Sequence, residues 1–209
     1  MKTVLLLGDS IRVGYDKSVQ AALSGKANVC FPEENCRFAA YLLRNLHEYR
    51  TLLPDGKADV IHWNAGLWDC LHLFEEETQT PIEVYAYYID RICKRIQKLF
   101  PEAEVIFATS TSVISEKMGK DFKRYNEEIE AYNAAAVEVV KRYGFAVNDL
   151  YAFSRNLPPE ARTGPTHFNS EVGTALMAEA VLACLRPYLS LEGDVGGKVV
   201  IHTDETEGF

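Results

Sequence analysis

The chain has 209 residues, of which 47% are hydrophobic and 25% charged, and its formal net charge is −8. Such usage excludes a disordered, collagen-like or coiled-coil chain, and an acidic balance without a basic stripe argues against phosphate-driven binding to nucleic acid. A chain of this length buries about 70–75% of its unfolded surface in one core, so a single domain is expected over residues 1–190, followed by a glycine-rich, acidic tail over 191–209.

The first apolar stretch, Val4 to Leu7, opens onto Gly8 and Asp9. It is too short for a signal-peptide core, and no run is long enough to suggest a bilayer span. It reads instead as a buried strand, and similar runs recur at Ala27–Phe31, Asp59–Asn64, Glu104–Thr109 and Phe145–Leu150. A helix is expected around Leu42, Leu46 and Tyr49 after the second strand. The next starts where Thr80, Pro81 and Glu83 supply an N-cap, a first-turn proline and a capping-box acid; its buried stripe is Tyr85, Ile89, Ile92, Ile96 and Leu99, and Pro101 ends it. Phe122, Tyr125, Ile129, Tyr132, Ala136, Val139 and Tyr143 recur at helical spacing up to Gly144. Met177, Val181, Cys184 and Tyr188 mark the last helix, and Lys198–Thr203 reads as an extra edge strand.

Alternating strands and helices with near-continuous apolar strands imply a parallel sheet covered on both faces. The expected fold is therefore an α/β three-layer sandwich with a flavodoxin-like five-stranded parallel sheet of order 2-1-3-4-5. The five cysteines, Cys30, Cys36, Cys70, Cys93 and Cys184, form no Cys-x-x-Cys pair. They read as reduced, mostly buried thiols of a cytoplasmic protein. His62 and His72 lack metal-ligand spacing, so neither a metal nor another cofactor is expected.

In such sheets ligands bind beyond the carboxyl ends of the strands, where strand order reverses. The segments leaving the strands there are Gly8-Asp9-Ser10, the stretch 31–36, Asn64 to Asp69, Thr109 to Ser112, and Asp149-Leu150; Thr166-His167-Phe168 comes just before the last helix. This arrangement resembles the SGNH hydrolases, also called GDSL-type esterases. Strand one runs into Gly8-Asp9-Ser10, Gly66-Leu67-Trp68-Asp69 stands in the place of the family's Gly-x-Asn-Asp block, and His167 precedes the last helix. The resemblance implies the SGNH fold, with Ser10 as nucleophile, His167 as general base and the Ser10 backbone N–H as one oxyanion donor.

This chain departs from the family's pattern at three places. Gly164 stands where the family carries an aspartate three residues before its histidine, which leaves a Ser–His dyad as the leading version, with Asp149 or Glu160 as supporting acids from elsewhere. Trp68 replaces the block's asparagine; its indole N–H can donate one hydrogen bond but its bulk differs, so Asn64, two residues before Gly66, is the expected side-chain oxyanion donor. No loop glycine follows strand two, where Asn35 or a backbone amide near Cys36 would serve. Arg12 and Tyr15 could hold an anionic or sugar-like substrate, although such residues are more often merely solvated, and Asp9 is expected to stabilise its own loop.

The expected activity is hydrolysis of a small ester, such as an O-acetyl group on a carbohydrate, through an acyl-serine intermediate. An acyltransferase using the same serine is the nearest alternative, and a non-catalytic module on a degenerate hydrolase fold is a further one. The expected partner is a small-molecule ester, not a nucleic acid or a membrane.

Overall fold

The computed structural model describes residues 1–191 and 199–200. Its strands in chain order are β1 (Thr3–Leu7), β2 (Asn28–Cys30), β3 (Val60–Trp63), β4 (His72–Leu73), β5 (Glu104–Ala108), β6 (Phe122–Lys123) and β7 (Ala146–Asn148). The helices are α1 (Ser10–Ala22), α2 (Ala39–Asn45), α3 (Ile82–Leu99), α4 (Asn126–Arg142), α5 (Leu150–Arg155) and α6 (Glu171–Leu189).

Five strands form a parallel sheet in the order β2-β1-β3-β5-β7. Counting only those five, the order is the expected 2-1-3-4-5. Every residue of β1 and β3 is buried, which requires a helical layer on each face. Helix α1 packs on α6 in one layer, while α2 packs on α3 and α3 on α4 in the other. Amphipathic spacing explains the second layer: α3 buries Tyr85, Ile89, Ile92 and Ile96, and α4 buries Ile129, Tyr132, Ala136 and Val139.

The register fixes where chemistry can gather. Leu7 pairs with Trp63, and the Asn64 N–H donates to the Leu7 carbonyl at 3.1 Å, one step beyond the strand. Gly8 and Asn64 therefore leave the sheet side by side at its carboxyl edge, which is the reversal point of the strand order.

Local structure departs from the sequence reading in several places. The helix expected from Phe122 begins only at Asn126, because Phe122 and Lys123 pair antiparallel with Leu73 and His72 as a two-stranded ribbon. Two-residue strands carry no readable period, so neither β4 nor β6 was expected. Thr80 does not cap α3; Pro81 occupies that position without a side-chain bond, and Thr80 donates its N–H to the Asp69 carbonyl at 3.0 Å. Tyr49 falls in a separate 3-10 turn, Glu48–Leu52, beyond α2. Leu150, expected at a strand end, instead starts the short helix α5. Among the described residues, α6 alone has the length and composition to cross a membrane, with a mean hydropathy of 1.3; in this fold it buries Met177, Val181, Leu185 and Leu189. The strand expected at 198–203 lies outside the described residues except for Val199 and Val200, which are not in a strand.

Candidate active site

Ser10 is the first residue of α1, and Asp9 caps it: the buried Asp9 Oδ1 accepts from the Ile11 N–H at 3.0 Å. Capping fixes the entry of the chain into the helix and leaves the Ser10 side chain at the positive end of the helix dipole. Burial pushes the Asp9 carboxyl above the usual range, opposed by Asn64, the Ile11 N–H and the charges of Arg124 and His167. Across the cleft, His167 Nε2 lies 2.8 Å from Ser10 Oγ, although 157 positions separate them in the chain. Both side chains are partly exposed.

Asn64 reaches the same place. A Cβ on Gly8 would lie 1.9 Å from the Asn64 side-chain oxygen, so glycine is required for that carboxamide to lie against the turn into Ser10. Gly66 is required on two counts. Its φ is +150°, and a Cβ there would come within 2.4 Å of Ser110 Oγ. The loop it opens is tied to α2, since both carboxylate oxygens of buried Asp69 accept from the Ala39 N–H, at 3.0 and 3.3 Å. Burial pushes the Asp69 carboxyl up to about 7. Trp68 is partly exposed beside it.

Other expected site residues are engaged elsewhere. Arg12 is neither solvated nor open to a ligand. It is fully buried, pairs with Asp16 at 2.5 Å, and donates to the carbonyls of Pro32 at 2.8 Å, Glu34 and Gly8. It therefore clamps the loop after β2 onto α1. Tyr15 is also buried, edge-on to His62. Asn35 spends its Oδ1 on the Arg37 N–H at 2.7 Å, an Asx turn that holds Arg37 at φ +50°. The left-handed step in this loop is thus made by an arginine. Asp149 caps α5 through Ala152 at 3.1 Å and accepts from Thr109 Oγ1 at 3.0 Å, so it straps β5 to α5 rather than supporting His167. Glu160 is exposed in the 3-10 turn Pro159–Ala161.

What holds the His167 loop was not legible in the sequence. Arg162 donates from Nη1 to the Ser112 carbonyl at 3.1 Å and from Nη2 to Ser112 Oγ at 2.8 Å. Its guanidinium also stacks over the Phe168 ring at 4.3 Å, next to His167. Ser112 is braced in turn, its N–H donating to Ser154 Oγ at 2.9 Å. Two backbone bonds complete the frame, Ile114 N–H to the Pro165 carbonyl at 2.8 Å and Thr163 N–H to the His167 carbonyl at 3.1 Å. Only a signal joining Arg162 to Ser112 across 50 positions could have revealed this.

His62 is buried, and burial lowers it to about 4. As a neutral ring it accepts from Asn148 Nδ2 at 3.1 Å. Among the described residues no three His, Cys, Asp or Glu side chains are grouped to hold a metal ion.

No family model matches the chain, and no curated protein sequence matches it. Solved structures do resemble it. The lipase/acylhydrolase from Enterococcus faecalis shares 20% identity at a TM-score of 0.69, over 90% of this chain and 96% of that one. An acetyl xylan esterase shares 17% at 0.66, covering 88% and 99%. A GDSL-like lipase from Bacteroides thetaiotaomicron shares 14% at 0.68, covering 89% and 88%. The fold of this chain is therefore the one these hydrolases share.

Proposed function

We propose that this chain, built on the scaffold of GDSL-like hydrolases, is an SGNH-type serine esterase that cleaves small esters through an acyl-serine intermediate. The observation that carries this reading is the 2.8 Å contact between Ser10 Oγ and His167 Nε2. A serine hydroxyl is a weak nucleophile until an adjacent base takes its proton, and the imidazole nitrogen stands at the distance such a transfer needs.

In this reading Ser10 Oγ attacks the ester carbonyl while its proton passes to His167 Nε2. The negative charge that builds on the carbonyl oxygen meets the Ser10 N–H at the head of α1, with the Asn64 carboxamide as the side-chain donor; such a donor contributes roughly 3–4 kcal/mol. The protonated His167 then gives its proton to the departing alkoxide. Water attacks the acyl-serine in the second half, again losing its proton to His167, which returns it to Ser10 Oγ. The Arg162–Ser112–Phe168 frame holds the loop that carries His167, and Asp149 and Glu160 are placed elsewhere.

The test is a fluorophosphonate probe together with turnover of p-nitrophenyl acetate. A single adduct mapping to Ser10, blocked in Ser10→Ala, is the expected result. A folded protein that takes up no probe and releases no nitrophenol overturns the proposal. A carbohydrate O-acetyl group belongs among the first natural esters to assay.

A further inference from the structure

Two arginines of the described residues are almost wholly buried, and the chain treats them differently. Both terminal nitrogens of Arg12 are engaged, with a carboxylate at 2.5 Å and three carbonyl acceptors, and its Nε alone has no hydrogen-bond partner among the described residues. Arg124 is 3% exposed, yet only its Nε is used, donating to the Leu67 carbonyl in the loop between Gly66 and Trp68. Its guanidinium carbon lies 5.0 Å from the Phe122 ring centroid. No carboxylate of the described residues pairs with it within 4 Å, and its two terminal nitrogens bond to none of them. Asp9, the neighbour of Ser10, is close enough for its charge to act on Arg124, and Asp9 Oδ2 is itself buried with no hydrogen-bond partner in the geometry of the described residues.

An ion out of water is costly unless it is paired and hydrogen-bonded. A guanidinium presents five donors in a rigid fork that matches a carboxylate, phosphate or sulfate edge. Arg124 holds that fork, with four donors unspent, against the very loop that carries Gly66, and within electrostatic reach of the same Asp9 carboxyl that senses His167. The overall charge of −8 would repel an anion, so an anionic substrate needs a local cation of this kind.

We propose that Arg124 is a specificity-determining residue: its terminal nitrogens bind a negatively charged oxygen group close to the scissile bond, which makes anionic esters the preferred substrates. This rests on the Ser10 esterase reading and narrows its substrate class. The charge could sit on the acyl side or on the leaving group, and the assay separates the two.

Three esters would be compared: neutral p-nitrophenyl acetate, mono-p-nitrophenyl succinate with its carboxylate on the acyl side, and 4-acetoxybenzoate with its carboxylate on the leaving group. Each is normalised to its rate of spontaneous hydrolysis. The wild type is expected to favour one anionic ester over the neutral one. Arg124→Gln is expected to cut that anionic-to-neutral ratio of kcat/KM roughly 10- to 100-fold, mainly through KM, the size of one lost charged hydrogen-bond pair. Arg124→Lys, which keeps the charge but not the fork, should fall between, and it carries the test if the glutamine variant does not fold. An equal loss on all three esters overturns the proposal and leaves Arg124 as a brace for Leu67. A second arm needs no turnover: calorimetric titration of Ser10→Ala with monomethyl succinate and with 4-acetoxybenzoate. Binding that disappears when Arg124→Gln is added supports the site, and failure of both compounds to bind overturns it. Lack of hydrolysis of all three esters counts instead against the Ser10 reading, and the calorimetric arm still decides the role of Arg124.

Discussion

The two halves of the candidate site are built by different means. Ser10 rides on the sheet. β1 and β3 are buried throughout, the Asn64–Leu7 bond extends their pairing to the edge, and Asp9 turns the chain into α1. His167 lies on an irregular loop with no ladder of its own, held by one arginine, two backbone bonds and a stacked phenylalanine. Ser10 is thus placed by local, cooperative backbone structure, whereas the loop of His167 is placed by long-range side-chain bonds. Substitutions on the two sides should fail in different ways, through stability and loop anchoring on one and through alignment of the base on the other.

The largest effect belongs to the contact where the halves meet. Ser10→Ala should lower kcat on p-nitrophenyl acetate by roughly 10⁴-fold or more with the melting temperature little changed, because removal of a nucleophile leaves only the contribution of binding and of the oxyanion donors. A variant that keeps more than a tenth of the activity would break the picture of a shared engine.

On the sheet side, Arg12→Met should lower the unfolding free energy by about 3 kcal/mol, since it strips buried Asp16 of its 2.5 Å partner and unmakes the bonds to the loop after β2. Chemical denaturation reads this directly. Were Arg12 a substrate contact, the same change would raise KM and leave stability alone.

On the loop side, Arg162→Gln should leave the melting temperature within a few degrees and reduce kcat about 10- to 100-fold, because a small displacement of the base costs rate more than stability. KM should move much less. The pH profile gives the sharper reading: a base that has lost its frame shifts the acid limb of kcat/KM, which a purely structural loss would not do. Arg162→Lys, which keeps one donor toward Ser112, is expected to restore part of the rate.

The same contrast explains what the sequence made visible. Five apolar runs bounded by turn residues were enough for the strands and their parallel pairing, since buried parallel strands leave an uninterrupted apolar signal, while the strand order came from likeness to flavodoxin-like sheets. Gly8-Asp9-Ser10 was legible because cap, turn and nucleophile are consecutive. Arg162 and Arg124 were not, for their partners Ser112 and Leu67 lie 50 and 57 positions away, and nothing in the local pattern separates a clamp from a solvated arginine. Arg12 was misread for the complementary reason: proximity to Ser10 in the chain says nothing about which way a helical side chain points. Two residues along α1, about 200° around the helix, are enough to carry it from the cleft into the interior beneath the loop after β2.

A pH-dependent effect tests the link between the loop after β3 and the start of α2. Asp69 joins the loop after β3 to the start of α2, and burial lifts its carboxyl to about 7. In the unfolded chain the same group titrates near 4. Between those values the native state holds more proton than the unfolded state, so the contribution of Asp69 to stability is fully present below about pH 4 and is lost as pH rises through about 7. Asp9, raised in the same direction, adds to that slope. Asp69→Asn keeps an oxygen for the Ala39 N–H and removes the ionisation. The variant should therefore match the wild type near pH 3.5 and exceed it by up to about 4 kcal/mol at pH 8, as less of the buried charge must be accommodated. Paired denaturation curves at the two pH values check this. A difference that is flat with pH, or one that favours the wild type more at pH 8, would mean that the Asp69 carboxylate is stabilised as an ion in the fold and that its bond to Ala39 outweighs its burial.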